Sequence, residues 1–396
     1  MVNGKKVSAV IAEYDPFHNG HRYHIKQTRQ SGAEYIIAVM SGAIVQRGGA
    51  AIYDKHFRAR QAVLGGVDLV IEFPCPFSCS CAEIFADKAI EIITKLGAAD
   101  ELSFGCECGD TDILEKCADI SASMGDCPDI AKYTAEGMSY PAAFEKAVYD
   151  SFGEDISKIF SEPNNVLAIE YIKALKRRGS GIKPLAVTRF GAAHRGETVC
   201  SGIASASMIR GILRSGGDIR GLVPYLPPPS EDICDTERMS GAVFLRLLQI
   251  VNSGGYKNVP DFTDELASRF VKAAAACKNA SLSELISAVK SKSFTYAKAA
   301  RAFINAYLGV TKSDMELAPH ARILAFNDNG REVLKEIRER AKDIEIVTSL
   351  SELSDSRLAW LDDISCRFQG FCRSDSIVNE YTREFDGYVS ERELST

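Results

Sequence analysis

One stretch near the start of the chain, Val7 to Tyr23, constrains the fold more strongly than any other. It opens with a short apolar run, Val7 to Ala12, which is typical of a strand buried inside a parallel sheet. The next residues, Glu13 to Pro16, end this strand, because proline lacks an amide hydrogen and disfavours helical geometry at the residue before it. A helix then begins within His18 to His21. The sequence therefore predicts a strand, a tight turn and a helix N-terminus in direct succession.

A helix that starts directly after such a turn offers a binding site for phosphate. Its free amides and its dipole both favour a negative charge at this end. Gly20 removes a side chain where a ligand would approach the backbone. His18 and His21 lie one helical turn apart beside this site, where they can stabilise charge that builds up on a phosphate. The alternative for the two histidines alone is that they only cap and pack the helix.

The string from Glu13 to His21, Glu-Tyr-Asp-Pro-Phe-His-Asn-Gly-His, resembles the nucleotide-binding motif of the nucleotidyltransferase superfamily, which shares its fold with class I aminoacyl-tRNA synthetases. In its full length the string is similar to that of one branch, the tRNA(Met) cytidine acetate ligases. The resemblance implies that His18 and His21 are catalytic. It also implies ATP contacts at Val10, Ile11, Ala12, Glu13, Tyr14, Asp15, Pro16, Phe17, His18, Asn19, Gly20, His21, Arg22, Tyr23, Gly105, Asn164, Arg189 and Phe190.

Contacts at three further positions along the chain lie at the ends of predicted elements. Gly105 comes directly after a predicted strand, where a missing side chain lets a base or ribose lie against the backbone. Asn164 stands at a helix start, where it could equally be a cap. Arg189 and Phe190 end another predicted strand. All three positions therefore lie at element ends, which is where open α/β sheets bind ligands.

Further phosphate contacts are suggested by two helix starts. The string Ile203 to Arg210 resembles a superfamily string that leads into a phosphate-binding helix, with Ser207 and Arg210 as the contacts; an ordinary capped helix is the alternative. Lys55 lies at the start of an earlier predicted helix and could either meet phosphates or be solvated. A glycine-rich loop, Ser41 to Gly49, resembles a family string up to Gly48, after which the family usually has Glu-Pro and this chain has Gly49-Ala50. A plain surface turn is the alternative.

Asp15 departs from the family, which usually has asparagine at this position. A carboxylate beside the phosphates would repel them unless it holds magnesium or turns away. Magnesium is expected with ATP, but the sequence marks no protein residue clearly as its ligand.

The predicted elements define an α/β fold, a Rossmann-like doubly wound parallel sheet of the nucleotidyltransferase type, followed by a mostly helical C-terminal domain. Its strands are predicted at residues 7–12, 34–40, 67–72, 100–104 and 185–190. The prolines at 227–229 suggest a linker, so we expect an ATP-binding catalytic domain over residues 1–222 and a mostly helical domain over 223–396 that contacts tRNA. That second domain has one predicted strand, at 343–347. A chain of 396 residues is long enough for this division.

The distribution of charge along the chain indicates that any RNA would bind to a local basic surface, because the protein as a whole is acidic. The net charge is −6, but the span from Lys173 to Arg220 is basic and includes Lys176, Arg177 and Arg178. In an acidic protein such a cluster is a candidate surface for phosphate backbone. A solvated helix face is the alternative. The family resemblance favours tRNA binding by these three residues.

The spacing of the cysteines and the hydropathy of the chain indicate its redox environment and cellular location. The chain has 12 cysteines, but their spacing does not fit a zinc site, so reduced and buried thiols are expected. The apolar runs are far shorter than a membrane span, and the start does not resemble a secretion signal. We therefore predict a cytoplasmic protein that does not contact a membrane. No obligate protein partner is evident.

The family resemblance implies an ATP-dependent ligase with acetate and elongator methionine tRNA as its partners. It would join acetate to ATP as acetyl-adenylate and then acetylate the wobble cytidine to N4-acetylcytidine. Two other classes stay open. The chain could be a small-molecule nucleotidyltransferase, in which case the basic span is incidental. It could also be an RNA-binding relative that has lost catalysis, in which case His18 and His21 are dispensable.

Overall fold

A central sheet organises the structure, which is a computed structural model describing residues 1–125, 127–189, 204–224, 233–291, 294–374 and 377–394, with residue 374 described by its backbone only. The strands in these segments are β1 (Val7–Ala12), β2 (Tyr35–Ser41), β3 (Ile44–Val45), β4 (Gly49–Ala50), β5 (Leu69–Phe73), β6 (Glu101–Cys106), β7 (Lys183–Thr188), β8 (Ala321–Phe326) and β9 (Ile346–Val347). β3 and β4 form a separate small hairpin.

The strand order of the main sheet is β7-β6-β1-β2-β5-β8-β9. Neighbouring strands are parallel except for β5 and β8, which are antiparallel. The chain winds from β1 to β2 in one direction and later returns to place β6 on the other side of β1. Ligands of open α/β sheets bind outside the carboxyl ends of the strands at such a switch point. The loop that follows β1 lies at this position.

Helices cover both faces of the sheet. In chain order they are α1 (Asn19–Gln30), α2 (Lys55–Leu64), α3 (Ala82–Leu96), α4 (Thr111–Ser123), α5 (Pro128–Ala135), α6 (Tyr140–Phe152), α7 (Glu154–Ser161), α8 (Pro163–Arg177), α9 (Ala206–Arg214), α10 (Ser240–Ser253), α11 (Asp264–Ala276), α12 (Leu282–Val289), α13 (Tyr296–Leu308), α14 (Asp328–Arg340), α15 (Ser356–Ser374) and α16 (Glu391–Leu394). Short 3-10 helices lie at Phe77–Cys79, Thr236–Met239, Gly255–Asn258, Ser313–Glu316 and Leu350–Glu352.

Alternation along β1 divides the core between the two faces. Val7 and Ala9 belong to the cluster that contains the apolar sides of α3, α8 and α14, whereas Val10 belongs to the cluster with α1 and α2. Successive side chains of a strand point to opposite faces, so a strand covered on both sides is apolar along its whole length. This burial fixes the position of the loop after β1.

A third apolar cluster joins the helical C-terminal region to the loops at the edge of the sheet. Val243, Leu247, Phe270 and Phe303 pack there, on α10, α11 and α13. The same cluster includes Ile44 and Ala50 of the β3–β4 hairpin and two cysteines near the end of β5. The helical region therefore supports the glycine-rich loop that faces the switch point.

The predicted fold class is confirmed, with three differences in its strands. The predicted strand at 185–190 lies two residues earlier, at β7, and the predicted strand at 343–347 is limited to β9. β8 was not predicted, because Ala-Arg-Ile-Leu-Ala-Phe has no alternating pattern and contains an arginine. Arg322 is tolerated there because its Nη1 lies 2.9 Å from a carboxylate oxygen of Glu380 and 3.6 Å from one of Glu72.

β8 and β9 come from the part of the chain beyond residue 222 and complete the main sheet. The division at 222 stays a prediction, and Pro227 to Pro229 and Phe190 lie outside the described residues. The eleven cysteines among the described residues are free thiols. Within the same segments, no helix is both long and apolar enough to cross a membrane.

Candidate active site

The loop between β1 and α1 is held by its own histidines. His18 is the N-cap of α1, and its Nδ1 accepts a hydrogen bond of 3.0 Å from the amide of Gly20. Nδ1 of His21 accepts one of 3.3 Å from the amide of His18. A neutral imidazole has one donor and one acceptor nitrogen. Because Nδ1 is the acceptor in both rings, Nε2 carries the proton in both.

Aromatic packing fixes the orientation of these rings. The imidazoles of His18 and His21 stack with their centroids 3.8 Å apart. The ring of Tyr14 meets His21 edge-on at 4.9 Å, and Phe17 lies 5.7 Å from the same imidazole. This packing holds both Nε2–H donors in place before any ligand arrives.

Burial keeps the histidines neutral. It lowers the pKa of His18 to about 3, helped by the positive charges of Arg189 and Arg210. Burial, followed by the charge of His18, holds the pKa of His21 well below its usual value. The pKa of His24, the next histidine of α1, is lowered to about 4 by burial and by Arg189. At neutral pH the three rings are therefore uncharged hydrogen-bond donors.

These lowered pKa values predict a loss of stability in mild acid. Below pH 6.5 an unfolded histidine binds a proton that the folded ring does not. Protonation therefore stabilises the unfolded state relative to the folded state. For His18, His21 and His24 the free energy of unfolding should be at its full value above pH 6.5. It should then fall by up to about 1.4 kcal/mol per pH unit for each ring as the pH drops towards 4. Urea denaturation between pH 7 and 4.5 measures this slope.

His24→Gln is the control for this prediction. The Nε2 of His24 lies 2.9 Å from the hydroxyl of Ser103, and a glutamine amide can replace this interaction. The variant should lose about a third of the pH slope. A slope equal to that of the unsubstituted protein would show that the pKa of His24 is the same in the folded and unfolded states.

Asp15 lies beside the histidine loop, 2 % exposed, and faces arginines. Its Oδ2 is paired with Arg47 and lies 3.5 Å from Nη1 of Arg210, while its Oδ1 accepts a hydrogen bond of 2.6 Å from the amide of Ile52. Burial alone would raise the pKa of this carboxyl group, but the charges of Arg47, Arg210 and Arg58 and the amide of Ile52 lower it. The carboxylate is thus ionised and engaged by the protein.

Replacing Asp15 with asparagine tests this arrangement. The amide would keep the contact with Ile52 but lose the charge that holds Arg47 and Arg210. Hydrogen bonds to charged groups contribute about 1.5–3 kcal/mol, so we expect a loss of that size in the free energy of unfolding. ATP affinity should not fall, since the carboxylate is turned towards the arginines. Weaker ATP binding at unchanged stability would indicate instead that Asp15 holds a metal ion on the nucleotide.

The start of α9 approaches the loop from the other side of Asp15. Nη1 of Arg210 donates to the backbone carbonyl of Asp15 at 2.5 Å, and Nη2 donates to the hydroxyl of Ser207 at 2.9 Å. Ser205 caps this helix by accepting from the amide of Met208. The structure therefore brings Ser207 and Arg210, both predicted phosphate contacts, to the histidine loop.

The opposite wall of the crevice is built at the ends of β6 and β7. Nη1 of Arg189 donates to Oδ1 of Asn164 at 3.1 Å, and Nδ2 of Asn164 donates to the carboxylate of Glu107 at 2.5 Å. A methyl group on Gly105 would lie 3.3 Å from the side chain of Arg189. Arg189 also lowers the pKa values of His18 and His21, so its positive charge acts on the histidine loop. Gly105, Asn164 and Arg189 therefore converge, as the sequence predicted.

Three residues that support the site were not assigned a role from the sequence. Glu107 accepts hydrogen bonds from the first amides of α8, and Arg47 bridges Asp15 and Glu13. Arg58 is 1 % exposed and donates to the carbonyls of Glu13, Ser41 and Gly42. It thereby ties together the ends of β1 and β2. Glu107 lies directly after β6, but the strand predicted from the sequence ends at residue 104, so its position at a strand end was not evident.

The predicted contacts between Val10 and Tyr23 differ in their exposure to solvent. This exposure determines which part of each residue could contact a nucleotide. Val10 is buried in the core, so only its backbone could take part, whereas Ile11 and Ala12 are partly exposed at the strand end. Asn19 is tied to the chain after α9, with its Nδ2 donating to the carbonyl of Gly221 at 2.7 Å. The predicted contacts that are partly or fully exposed are Ile11, Ala12, Glu13, Asn19, Gly20, His21, Arg22 and Tyr23.

Two predicted contacts are placed differently. Lys55 is fully buried, and its ammonium lies 2.7 Å from a carboxylate oxygen of Glu72 and 3.4 Å from one of Glu380. It is out of reach of a phosphate because its charge is used inside the protein. The cluster Lys176, Arg177 and Arg178 is paired with acidic residues of α3 and α4, namely Glu83, Asp87, Glu91 and Asp119. Its contact with tRNA stays a prediction.

Comparison with known proteins identifies nucleotidyltransferases as the relatives of this chain. The family described as HIGH Nucleotidyl Transferase matches residues 5–379. A crystal structure of Thermotoga maritima TmcAL bound with alpha-thio ATP is similar over 97% of this chain and 100% of that chain, with a TM-score of 0.85 and 27% identity. Its apo form gives a TM-score of 0.86 and 28% identity. The doubly wound sheet and the histidine loop thus define a nucleotidyltransferase of the HIGH class.

Sequence relatives narrow this class. A tRNA(Met) cytidine acetate ligase of Clostridium kluyveri is 33% identical over 383 residues, which covers 89% of this chain and 92% of the relative. One from Clostridium perfringens is 33% identical over 398 residues and covers 94% and 97%. The chain belongs to the tRNA(Met) cytidine acetate ligase family, which confirms the resemblance found in its sequence.

Proposed function

We propose that the protein is an ATP-dependent tRNA(Met) cytidine acetate ligase. An acetate oxygen attacks the α-phosphorus of ATP, and the bond to the bridging oxygen of pyrophosphate breaks, giving acetyl-adenylate. The exocyclic amine of the wobble cytidine in elongator methionine tRNA then attacks the acetyl carbonyl, loses a proton and displaces AMP. The names of the relatives and the alpha-thio ATP in the Thermotoga maritima structure support this proposal. A cytoplasmic location belongs to the same proposal.

One observation carries the proposal, the locking of two imidazoles by their Nδ1 atoms at the start of α1. The adenylation step needs alignment and neutralisation of charge more than it needs a protein nucleophile. His18 and His21 offer two preorganised neutral Nε2–H donors, and the α1 N-terminus adds its dipole. Such donors act most strongly where negative charge grows in the transition state, on the phosphorane and the departing pyrophosphate.

The remaining residues of the crevice have supporting roles in this proposal. Arg189, held by Asn164, lies at the ends of the strands beside Gly105, where the adenosine would bind. Arg210 and Ser207 would meet the phosphates from the start of α9. Because Arg210 already touches the backbone of Asp15, a phosphate bound there would be held by the same loop that positions the histidines.

Magnesium on the ATP phosphates is the finer part of the proposal. Magnesium usually binds through substrate phosphates and one or two carboxylates. The carboxylates at this site are engaged by the protein: Asp15 by arginines, Glu13 by Arg47 and an amide, and Glu107 by α8. No group of three or more His, Cys, Asp or Glu side chains that could hold a metal occurs in the described segments. These residues therefore do not form a dedicated magnesium site.

Nucleoside analysis tests the proposal against the two other classes. The purified protein is incubated with ATP, acetate and unmodified elongator methionine tRNA, and the nucleosides are separated by mass spectrometry. N4-acetylcytidine that requires all three components supports the ligase. Pyrophosphate release that does not require acetate would indicate a small-molecule nucleotidyltransferase. Tight tRNA binding without any product, unchanged by His18→Ala or His21→Ala, would indicate an RNA-binding relative without catalysis.

A further inference from the structure

A second cleft, separate from the nucleotide crevice, lies between α2, β8 and the segment 377–387. Its volume is about 340 Å³. Three arginines line it: Arg60 on α2, Arg373 at the end of α15, and Arg383 on the C-terminal segment. Arg60 is far from Arg373 and Arg383 in the sequence, so the convergence of α2 with the C-terminal arginines is a product of the fold.

Two of these arginines have no carboxylate within ion-pair distance among the described residues. Arg60 is paired with Glu393, but no such pair is present for Arg373 or Arg383. The Nε–H of each of these two side chains is also buried without a hydrogen-bond acceptor. An unsatisfied buried donor costs about 1–3 kcal/mol, so an anion in the cleft would relieve both side chains. Elsewhere the basic cluster on α8 is already matched by acidic residues.

The acidic residues of the cleft form no ion pair with Arg373 or Arg383 among the described residues, although the charge of Arg383 helps to lower the pKa of Asp54. Asp54 caps α2 by accepting from the amides of His56 and Phe57 at 2.9 and 3.4 Å. Asp386 is exposed to solvent. His56 lies with its Nε2 3.1 Å from Glu380, which serves the buried charge cluster behind the cleft. The guanidiniums of Arg373 and Arg383 are thus the groups left for a ligand, and planar guanidinium forks match the oxygens of a phosphate.

The cleft adjoins the histidine loop. Phe57 on α2 forms part of its wall and also lines a small cavity together with Pro16 and Phe17. An RNA that presents a base to the adenylate must bring its neighbouring phosphates along this side of the sheet or the opposite one. The cations of α8 are matched by acidic residues, whereas Arg373 and Arg383 on the α2 side have no ion pair among the residues that the structure describes.

We propose that the cleft of Arg60, Arg373 and Arg383 binds a backbone phosphate of the substrate tRNA. This inference rests on the proposed function. Because phosphate is the recognised group, free pyrophosphate could use the same arginines, and the experiment separates the two sources.

The main variant is Arg373→Gln combined with Arg383→Gln. Filter binding of unmodified elongator methionine tRNA is measured over a series of salt concentrations. Removing one phosphate contact lowers the slope of log affinity against log salt by about one unit, so we expect a fall of one to two units. ATP affinity and thermal midpoint are measured on the same samples; ATP affinity should stay unchanged, and the thermal midpoint should not fall, because the substitutions remove buried donors that lack an acceptor. Arg383→Gln alone should give part of the fall, and it serves if the double variant does not fold.

The matched comparison is a triple variant, Lys176→Gln, Arg177→Gln and Arg178→Gln, which removes three cations from α8. We expect its salt slope to equal that of the unsubstituted protein, because these cations are already paired. A lowered slope in the triple variant with an unchanged slope in the cleft variants would overturn the inference and place the RNA on α8.

Two further outcomes are informative. If the cleft variants lose affinity for inorganic pyrophosphate but keep the full tRNA slope, the cleft holds free polyphosphate and the RNA assignment is wrong. If the unsubstituted protein itself binds no tRNA, the proposed function fails first, and the inference fails with it. An unchanged slope in folded cleft variants of a protein that does bind tRNA refutes the inference alone.

Discussion

Replacing His21 with alanine is expected to lower acetate-dependent pyrophosphate release by about 10²–10³-fold, the usual loss when one preorganised donor to a developing oxyanion is removed. The Nε2–H of His21 is fixed by the hydrogen bond at Nδ1 and by stacking on His18, so no neighbouring group can take its place without moving. A coupled assay for pyrophosphate at saturating ATP and acetate measures the effect. Near-normal turnover of a folded variant would show that the ring acts only as a cap.

His21→Asn separates the catalytic role from capping. The asparagine oxygen can accept from the amide of His18 as Nδ1 does, but it supplies no group at the position of Nε2. We therefore expect the alanine variant to lose about 0.5–2 kcal/mol of stability along with activity, since a cap is removed. The asparagine variant should lose the activity and keep most of the stability. His24→Gln, in the next turn of α1, should retain pyrophosphate release.

Replacing Glu380 with glutamine is expected to lower the free energy of unfolding by about 3–5 kcal/mol, because it leaves buried cations without their partner. The Glu380 carboxylate lies 3.4 Å from Lys55, 2.9 Å from Arg322 and 3.1 Å from His56, and it is fully buried. Glutamine has nearly the same shape, so the change isolates the charge. Urea denaturation at pH 7 measures the loss.

Glu384→Gln is the matched control for this stability effect. Glu384 lies four residues further along the same segment and is exposed, so its substitution should change stability by less than about 0.5 kcal/mol. Equal stabilities for the Glu380 and Glu384 variants would show that the buried cations find water or another anion. In that case the C-terminal segment would not be held by charge.

What could be predicted from the sequence is local in origin. The strand Val7–Ala12 and the helix start at Asn19 were predicted at their observed residues, because an apolar run, a proline and a glycine act within a few residues of one another. The proximity of the His18 and His21 side chains could be predicted from helical spacing alone.

What could not be predicted depends on contacts between distant parts of the chain. A lysine near a helix start, such as Lys55, is equally compatible with a phosphate ligand and with a buried ion pair. Which of the two forms depends on Glu380, a residue far away in the sequence. His56, its neighbour, is 324 positions away from that carboxylate. In the same way Lys176 is neutralised by Asp119 of another helix. Strand β8 escaped prediction because its arginine is acceptable only beside these partners.

The antiparallel pairing of β8 with β5 has a consequence for synthesis of the protein. β5 ends at Phe73, but its partner begins at Ala321, so the ribosome must translate the intervening chain before that edge can close. At translation rates of about 5–20 residues per second this interval is roughly 12–50 s. Throughout it, the nascent chain presents an apolar strand edge of the kind that recruits chaperones or aggregates. Translation through β8 is therefore the step that lets this edge of β5 be covered.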